Sequence, residues 1–385
     1  MHLRLGYIAI GLLLCSLLCV PALAEWFTIG PEGGDARSLA LDPHNPDHIY
    51  LGTSSGEIYQ SFDRGRSWAL FVRLGGDDFV MDHIVPDPDA SGTLYVATWN
   101  VLEQHSSGDV FRTEDGGKTW QALAEMHGKS IRALALAASD TRTLVAGTLE
   151  GVFRSSDRGE HWERISPAGH ADIKNIESIA VDPKNPDVVY AGTTHLPWKT
   201  ADGGKSWSNI KNGVIDDSDV FSIIVDRTNP AIVFVSACSG IYKSESAGSL
   251  FHKTQGIPFS ARRTRMLKQD PVNAATVYAG TTEGLWRTSD GGKTWSHLTP
   301  SNVIVNDILI DPRDPTRVML ATDRGGIVIS EDAGKTFTAS NGGFSHRTVT
   351  ALLADRQTPG SLFAGVVNDK EFGGVFRSDN SGATW

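Results

Sequence analysis

The chain has 385 residues, of which 40 are glycine, 21% are charged and 40% are hydrophobic. That composition describes a globular chain and excludes a disordered acidic tail. Lys and Arg number 35 against 45 Asp and Glu, a net charge of −10, and no Lys/Arg run offsets it, so no nucleic-acid partner is expected.

Residues 1–24 read MHLRLGYIAIGLLLCSLLCVPALA and are expected to be a signal peptide. Arg4 supplies the positive start, Ile8 to Val20 the apolar stretch, and Ala22-Leu23-Ala24 a small-residue cleavage site before Glu25. The apolar run is shorter than the roughly 20 residues a spanning helix needs, and no second run of that length follows. Residues 25–385 are therefore expected to be an exported monomer, periplasmic or extracellular, with no membrane span. Two of the three cysteines leave with the signal. Cys238 remains alone in a Val-Phe-Val-Ser-Ala-Cys run, which reads as a buried, inert thiol.

From residue 61 onward the chain repeats itself. Eight segments follow Ser/Thr-x-Asp-x-Gly-x-Thr/Ser-Trp/Phe: SFDRGRSW at 61–68, TEDGGKTW at 113–120, SSDRGEHW at 155–162, TADGGKSW at 200–207, SESAGSLF at 244–251, TSDGGKTW at 288–295, SEDAGKTF at 330–337 and SDNSGATW at 378–385. They recur every 42 to 52 residues, the size of a four-stranded blade. In each, the aspartate (Asp63, Asp115, Asp157, Asp202, Asp290, Asp332) accepts hydrogen bonds from the backbone just ahead of it. The glycine supplies the positive φ of a tight hairpin, and the aromatic ring opens the next strand. Ser246 and Asn380 replace the aspartate in the fifth and eighth copies, and both read as degenerate turns. Around each box stand short apolar runs such as Ser222-Ile-Ile-Val-Asp226, Tyr278-Ala-Gly-Thr281 and Gly284-Leu-Trp-Arg287. They indicate strands buried on both faces.

These boxes resemble the Asp-box, or BNR, repeats, and the resemblance covers essentially all of 26–385. It implies an all-β propeller of four-stranded antiparallel blades, like those of sortilin-type receptors, xyloglucan-active endoglucanases, sialidases and the photosystem II assembly factor. Counted literally the repeats give eight blades, with seven possible. Trp26-Phe-Thr-Ile29 is similar to the strand that follows each box and is expected to complete the last blade. The family places the boxes on the outer rim, away from the binding face.

The resemblance also tests for enzymes. In the xyloglucanase-like group a Thr-Asp-Val-Gly-Gly stretch carries a catalytic aspartate, and the matching stretch here is Thr53-Ser54-Ser55-Gly56-Glu57, with Ser54 at that position. The sialidase Arg-Ile-Pro is missing before Ser61. Gly52-Thr-Ser-Ser-Gly56 matches a nucleophile elbow only by chance, because it is one of the repeated strand-to-strand loops. No metal-binding or phosphate-binding motif occurs, so no metal and no cofactor are expected, and no catalytic residue is assigned.

The repeat itself supplies a coordinate for the binding face. Five residues before the end of each unit's first strand stand Arg37, Asp82, Arg132, Glu177, Phe221, Arg265, Asn306 and Thr350, varied and mostly polar on an apolar framework (Leu39, Ile84, Leu134, Ile179, Ile223, Leu267, Ile308, Leu352). The first seven are the candidate ligand-binding residues at the channel mouth. The rival expectation is that Arg37 pairs with Asp82 and Arg132 with Glu177 in a solvated channel. Long loops at 99–108 and 368–373 and the basic run Arg262-Arg263-Thr264-Arg265 could extend the surface. The function expected is a non-catalytic scaffold or receptor-like module for protein, peptide or glycan. The alternative is a glycoside hydrolase of the same architecture.

Overall fold

The computed structural model describes residues 29–100, 106–215, 218–261, 263–367 and 372–385. The signal segment, Trp26–Thr28 of the closing strand, 101–105 and 368–371 of the two long loops, and Arg262 lie outside the described residues.

Each full repeat folds into one antiparallel sheet of four strands taken in chain order. The first blade is Ser38–Leu41, Ile49–Gly52, Glu57–Ser61 and Ala69–Arg73, and six more follow at 80–122, 131–164, 176–209, 220–253, 264–297 and 305–339. The last strand of a blade is short, often two residues such as Ser296–His297, and cannot hold itself. The box holds it. Thr288 Oγ1 donates to Asp290 Oδ1 (2.8 Å) and accepts from the Gly292 N–H (2.9 Å). Asp290 Oδ1 accepts from the backbone of Lys293 (3.0 Å) and Thr294 (2.9 Å), and Oδ2 from the Thr294 hydroxyl (2.7 Å). The fifth box keeps the pattern with hydroxyls alone: Ser244 Oγ accepts from the Gly248 N–H (3.0 Å) and Ser246 Oγ from the Leu250 N–H (3.1 Å).

The box also presses each blade onto the one before it. A Cβ on Gly204, at φ +97°, would fall 2.4 Å from the Ile165 side chain of the preceding blade, so only glycine permits the contact. The Trp207 indole donates to the Ile165 carbonyl (2.7 Å). A cation on one blade then reaches the box carbonyl of the next: Arg112 to Arg158 O (3.0 Å) and Lys199 to Ala247 O (2.9 Å).

The same contacts join the seventh blade to the first. Arg317 donates to Arg64 O, Trp68 Nε1 donates to Ser340 O (2.9 Å), and the Leu39 N–H donates to Asp307 Oδ2 (2.8 Å). Leu39, Leu51 and Trp68 share one apolar cluster with Leu309, Met319 and Ile329. Blades one and seven thus use on each other the surfaces that consecutive blades use, and no slot remains between them. Of the two counts that the repeats allow, these contacts favour seven blades over the literal eight. The eighth repeat forms a separate three-stranded sheet, Val349–Ala354, Leu362–Val366 and Gly374–Ser378. Its box tryptophan, Trp385, donates to Ile29 O (2.5 Å) in the manner of Trp207 and Trp68. Leu352 is 68% exposed, whereas its counterparts Leu267 and Ile308 are at 1% and 0%. Cys238 is also only half-buried, at the end of strand Val233–Ala237, and does not match the fully buried thiol expected.

Two outcomes follow from this packing. Hydrogen bonds from the following Ser, Thr or His hold the carboxyls of Asp115, Asp157, Asp202 and Asp332 down at about 2. Groups lowered in the folded state stabilise it above the ordinary carboxylate range and lose that contribution as pH falls through the folded value. Melting temperature should therefore fall steadily from about pH 4 to pH 2, and Asp290→Ala should lower it by several degrees at pH 7. An unchanged melting curve in either case removes the boxes from the stability of the fold. Exposed apolar faces associate, so Leu352→Lys with Leu353→Lys should reduce self-association in light scattering with little effect on melting temperature; equal scattering from both proteins would show that this sheet is not a sticky face.

Candidate functional site

The inner strands of blades two to seven each carry a β-bulge or register irregularity, and the repeat coordinate falls within it. In the third blade Ile131 pairs with Thr148 and Ala133 with Gly147, leaving Arg132 unpaired. Glu177, Phe221, Arg265, Asn306 and Thr350 are left out in the same way, and Asp82 lies in the equivalent irregularity between Val80 and His83. Arg37 precedes its strand, with its N–H on Gly52 O (2.8 Å) beside the Ser38–Gly52 pair. A bulge re-aims one side chain without disturbing the framework on either side, which is how an apolar strand comes to present a charged group.

Inner strands of neighbouring blades pack side by side, so the bulged residues meet. Arg132 donates to Glu177 (3.0 Å) and lies 3.9 Å over the Trp99 ring, and the Trp99 indole donates to Asp82 (2.5 Å). Arg265 donates to Asn306, and Asn306 Nδ2 donates to Ala36 O (2.7 Å). The fields of Asp35, Asp82 and Asp323 all reach both Arg37 and Arg265, and Glu177 feels Asp219 and Asp82. Six of the seven candidates thus form one electrostatic cluster. Phe221 is half-buried on its inner strand. Thr350 belongs to the separate sheet and is exposed.

The pairing expected between Arg132 and Glu177 is present. The pairing of Arg37 with Asp82 is not: Arg37 Nε donates to Asp35 at 2.9 Å. Burial pushes the Glu177 carboxyl above its usual range against the pull of Arg132. The box aspartates stay apart from this cluster, occupied by their own turns.

Beside Arg37 opens a cavity of about 640 Å³, and its Asp35, Asp323, Arg324, His346 and Arg347 are residues that sequence reasoning passed over. Ser54 and Ser55 come from the first blade, Asp323 and Arg324 from the seventh, and His346 and Arg347 from the link to the eighth repeat. Ser55 Oγ and His346 Nε2 are 2.6 Å apart, but His346 Nδ1 is buried with no partner among the described residues, so none of these supplies the third, orienting member that a nucleophilic triad requires. Glu57, also on this wall, is held by Arg73 (2.6 Å). Burial and then the Asp35 charge push the Asp323 carboxyl up. One signal in the sequence marks this place: the seventh unit reads Thr322-Asp-Arg-Gly-Gly326 where the sixth reads Thr281-Thr-Glu-Gly284, one residue longer. Among the described residues no cluster of three His, Cys, Asp or Glu could hold a metal ion, and no helix is long and apolar enough to cross a membrane.

No family model matches the chain. It is 26% identical over 218 residues to the xyloglucanase Xgh74A of Acetivibrio thermocellus, covering 47% of this chain and 26% of that one. To a Paenibacillus xyloglucanase it is 28% identical over 231 residues, covering 48% and 22%. A stretch of 76 residues is 30% identical to the vacuolar protein sorting/targeting protein 10 of Chaetomium globosum, covering 20% and 5%. The matches to the two xyloglucanases thus span about a quarter of their length. Among solved structures, the GH74 xyloglucanase of Xanthomonas campestris superposes with a TM-score of 0.72 at 18% identity, over 94% of this chain and 68% of that one. YCF48 bound to a D1 peptide superposes at 0.58 and 15%, over 78% and 93%. Eight boxes, stacked four-stranded blades and these likenesses agree: the chain is an Asp-box propeller resembling the GH74 xyloglucanases, the Vps10/sortilin receptors and the YCF48 photosystem II assembly factor.

Proposed function

We propose that this chain is an exported, non-catalytic propeller that binds a polypeptide segment at the mouth of its channel. The observation that carries the reading is the row of repeat-equivalent residues on the inner strands, six of them in bulges: seven positions on a uniform apolar framework hold Arg, Asp, Arg, Glu, Phe, Arg and Asn. Maintenance of the fold needs none of these charges. Alternating acids and arginines suit the charged side chains and backbone amides of an extended peptide. A sugar ring would want an open aromatic platform, and the Trp99 face is covered by Arg132. The solved YCF48 propeller with a bound D1 peptide is a precedent for the ligand class on this fold.

Catalysis has less support. Ser54 stands where the resemblance puts an aspartate, and Asp35, Glu57 and Glu177 are each tied to an arginine at 2.9, 2.6 and 3.0 Å. Asp323 alone sustains a second reading as a hydrolase, because a raised carboxyl in a cavity can act as a general acid.

Arg265 and Phe221 are the clean probes. Arg132 is not, since removing it strands the Glu177 carboxylate. Peptides selected on the wild-type protein should bind Arg265→Ala about ten- to hundredfold more weakly, the effect of losing a charge-assisted bond of ~1.5–3 kcal/mol, with the melting temperature nearly unchanged. Equal affinity in Arg265→Ala and Phe221→Ala places the ligand elsewhere. For the second reading, incubation with xyloglucan and other β-glucans should release no new reducing ends; release that Asp323→Asn abolishes would establish a hydrolase and overturn the non-catalytic assignment.

A further inference from the structure

The arginines around the channel mouth are mostly engaged. Arg37 is bound to Asp35, Arg132 to Glu177 and Arg265 to Asn306. Arg347 donates to Glu32 O (2.7 Å) and Phe372 O (2.8 Å) and lies 5.1 Å over the Phe376 ring. Arg324 differs from all four. It is half-buried, and among the described residues its guanidinium makes no hydrogen bond and no ion pair; its neighbour Asp323 acts on it only through the field. A planar group with five donors, left without acceptors beside a cavity, is placed to take a carboxylate through two parallel bonds.

Two further features locate it. Arg324 stands on the wall shared by two cavities, the one of about 640 Å³ beside Arg37 and a second of about 170 Å³ lined also by Thr282, Ser301, Asn302 and Phe372. The lining of the second includes hydroxyl and amide groups and an aromatic ring, the mixture that a peptide backbone and one side chain need. The backbone at Arg324 is held at φ +72°, in the left-handed region that favours glycine. Five of the other seven non-glycine residues with positive φ, Arg64, Arg158, Ala247, Ala333 and Ser381, sit in the box turns; Arg324 does not. The seventh blade keeps an arginine where glycine would relieve the backbone, so the side chain has a use that the turn does not explain.

We infer that Arg324 anchors a carboxylate of the bound peptide, from an Asp or Glu side chain or from the peptide's own C-terminus, at the junction of the seventh blade and the eighth repeat. The inference rests on the peptide-binding reading above and names the chemistry of one ligand group. The unpaired Asp323 carboxyl beside it would reject a peptide that presents a second acid at the same point, so a single carboxylate is favoured over an acidic run.

The test uses the full chain and three sets of synthetic decapeptides of Gly, Ser and Ala: one set with a central Asp or Glu and an amidated end, one with no acidic side chain and a free C-terminus, and one with neither carboxylate. Wild type should bind one of the first two sets at least tenfold more tightly than the third, and which of the two identifies the carboxylate. Arg324→Gly should abolish that preference and hold or raise the melting temperature, because it relieves the left-handed backbone while removing the guanidinium. Arg324→Lys should keep part of it. Binding of all three sets with equal affinity, or an unchanged preference in Arg324→Gly, overturns the inference and leaves peptide binding standing. Failure of all three sets to bind, with capture of neutral oligosaccharides instead, overturns peptide binding and the inference with it.

Discussion

A Ser or Thr hydroxyl and an Asp carboxylate, two residues apart, close the box turn in six of the eight repeats, and the fold depends on that small cage. Between them the two side chains satisfy backbone donors that a hairpin turn leaves bare, as Thr288 and Asp290 do for Gly292, Lys293 and Thr294. The outermost strand is too short to pair by itself, so the cage decides whether a blade has four strands or three. It also delivers a glycine, an indole and a carbonyl to the neighbouring blade. Gly204 against Ile165 and Arg317 on Arg64 O are the same device at two points of the ring. Replacement of Asp by Ser246 or Asn380 is tolerated because hydroxyl and amide oxygens still accept from the right N–H groups.

Because the boxes hold the rim, the inner strands can vary. Each keeps its apolar ladder, those of blades two to seven set a residue aside in a bulge, and these residues together with Arg37 carry the differences between blades. The separation explains why charge at Arg132 or Arg265 costs the fold little sequence: the bulge removes the residue from the ladder before its side chain has to pack. The contacts among Arg132, Glu177, Trp99 and Asp82 hold these side chains in a fixed arrangement, so the ligand proposed above would meet preformed groups. In the cavity beside Arg37, the Asp323 and Arg324 side chains have no hydrogen-bond or ion-pair partner among the described residues.

Much of this was legible in the residues. The repeat of SFDRGRSW through SDNSGATW identifies the blades and their turns, and counting back from the end of each first strand reaches the positions that the bulges of blades two to seven set aside. The charge pairing of Arg132 with Glu177 was readable for the same reason. Ring closure was not, because a repeat count says how many units exist and nothing about which pair sideways. Only the packing of Leu39 and Trp68 against Met319 and Ile329 shows that the eighth unit stands apart. The cavity also escaped, since Asp35, Ser55, Arg324 and His346 come from four separate stretches of chain and follow no period. Its one trace was the extra residue in Thr322-Asp-Arg-Gly-Gly326. The rival pairing of Arg37 with Asp82 rests on their equivalent positions, whereas Asp35, two residues away in the chain, reaches the guanidinium first.

The central claim is that the ligand sits on the inner, bulged face and that the boxes only build the rim. Backbone hydrogen exchange measured with and without a peptide selected on the intact protein tests it directly. Protection should appear at the inner-strand segments around 37, 82, 132, 177, 221, 265 and 306 and in the 322–326 turn, while the box turns exchange alike in both states. Protection confined to the box turns, or spread over the outer strands with the inner segments unchanged, would contradict the account.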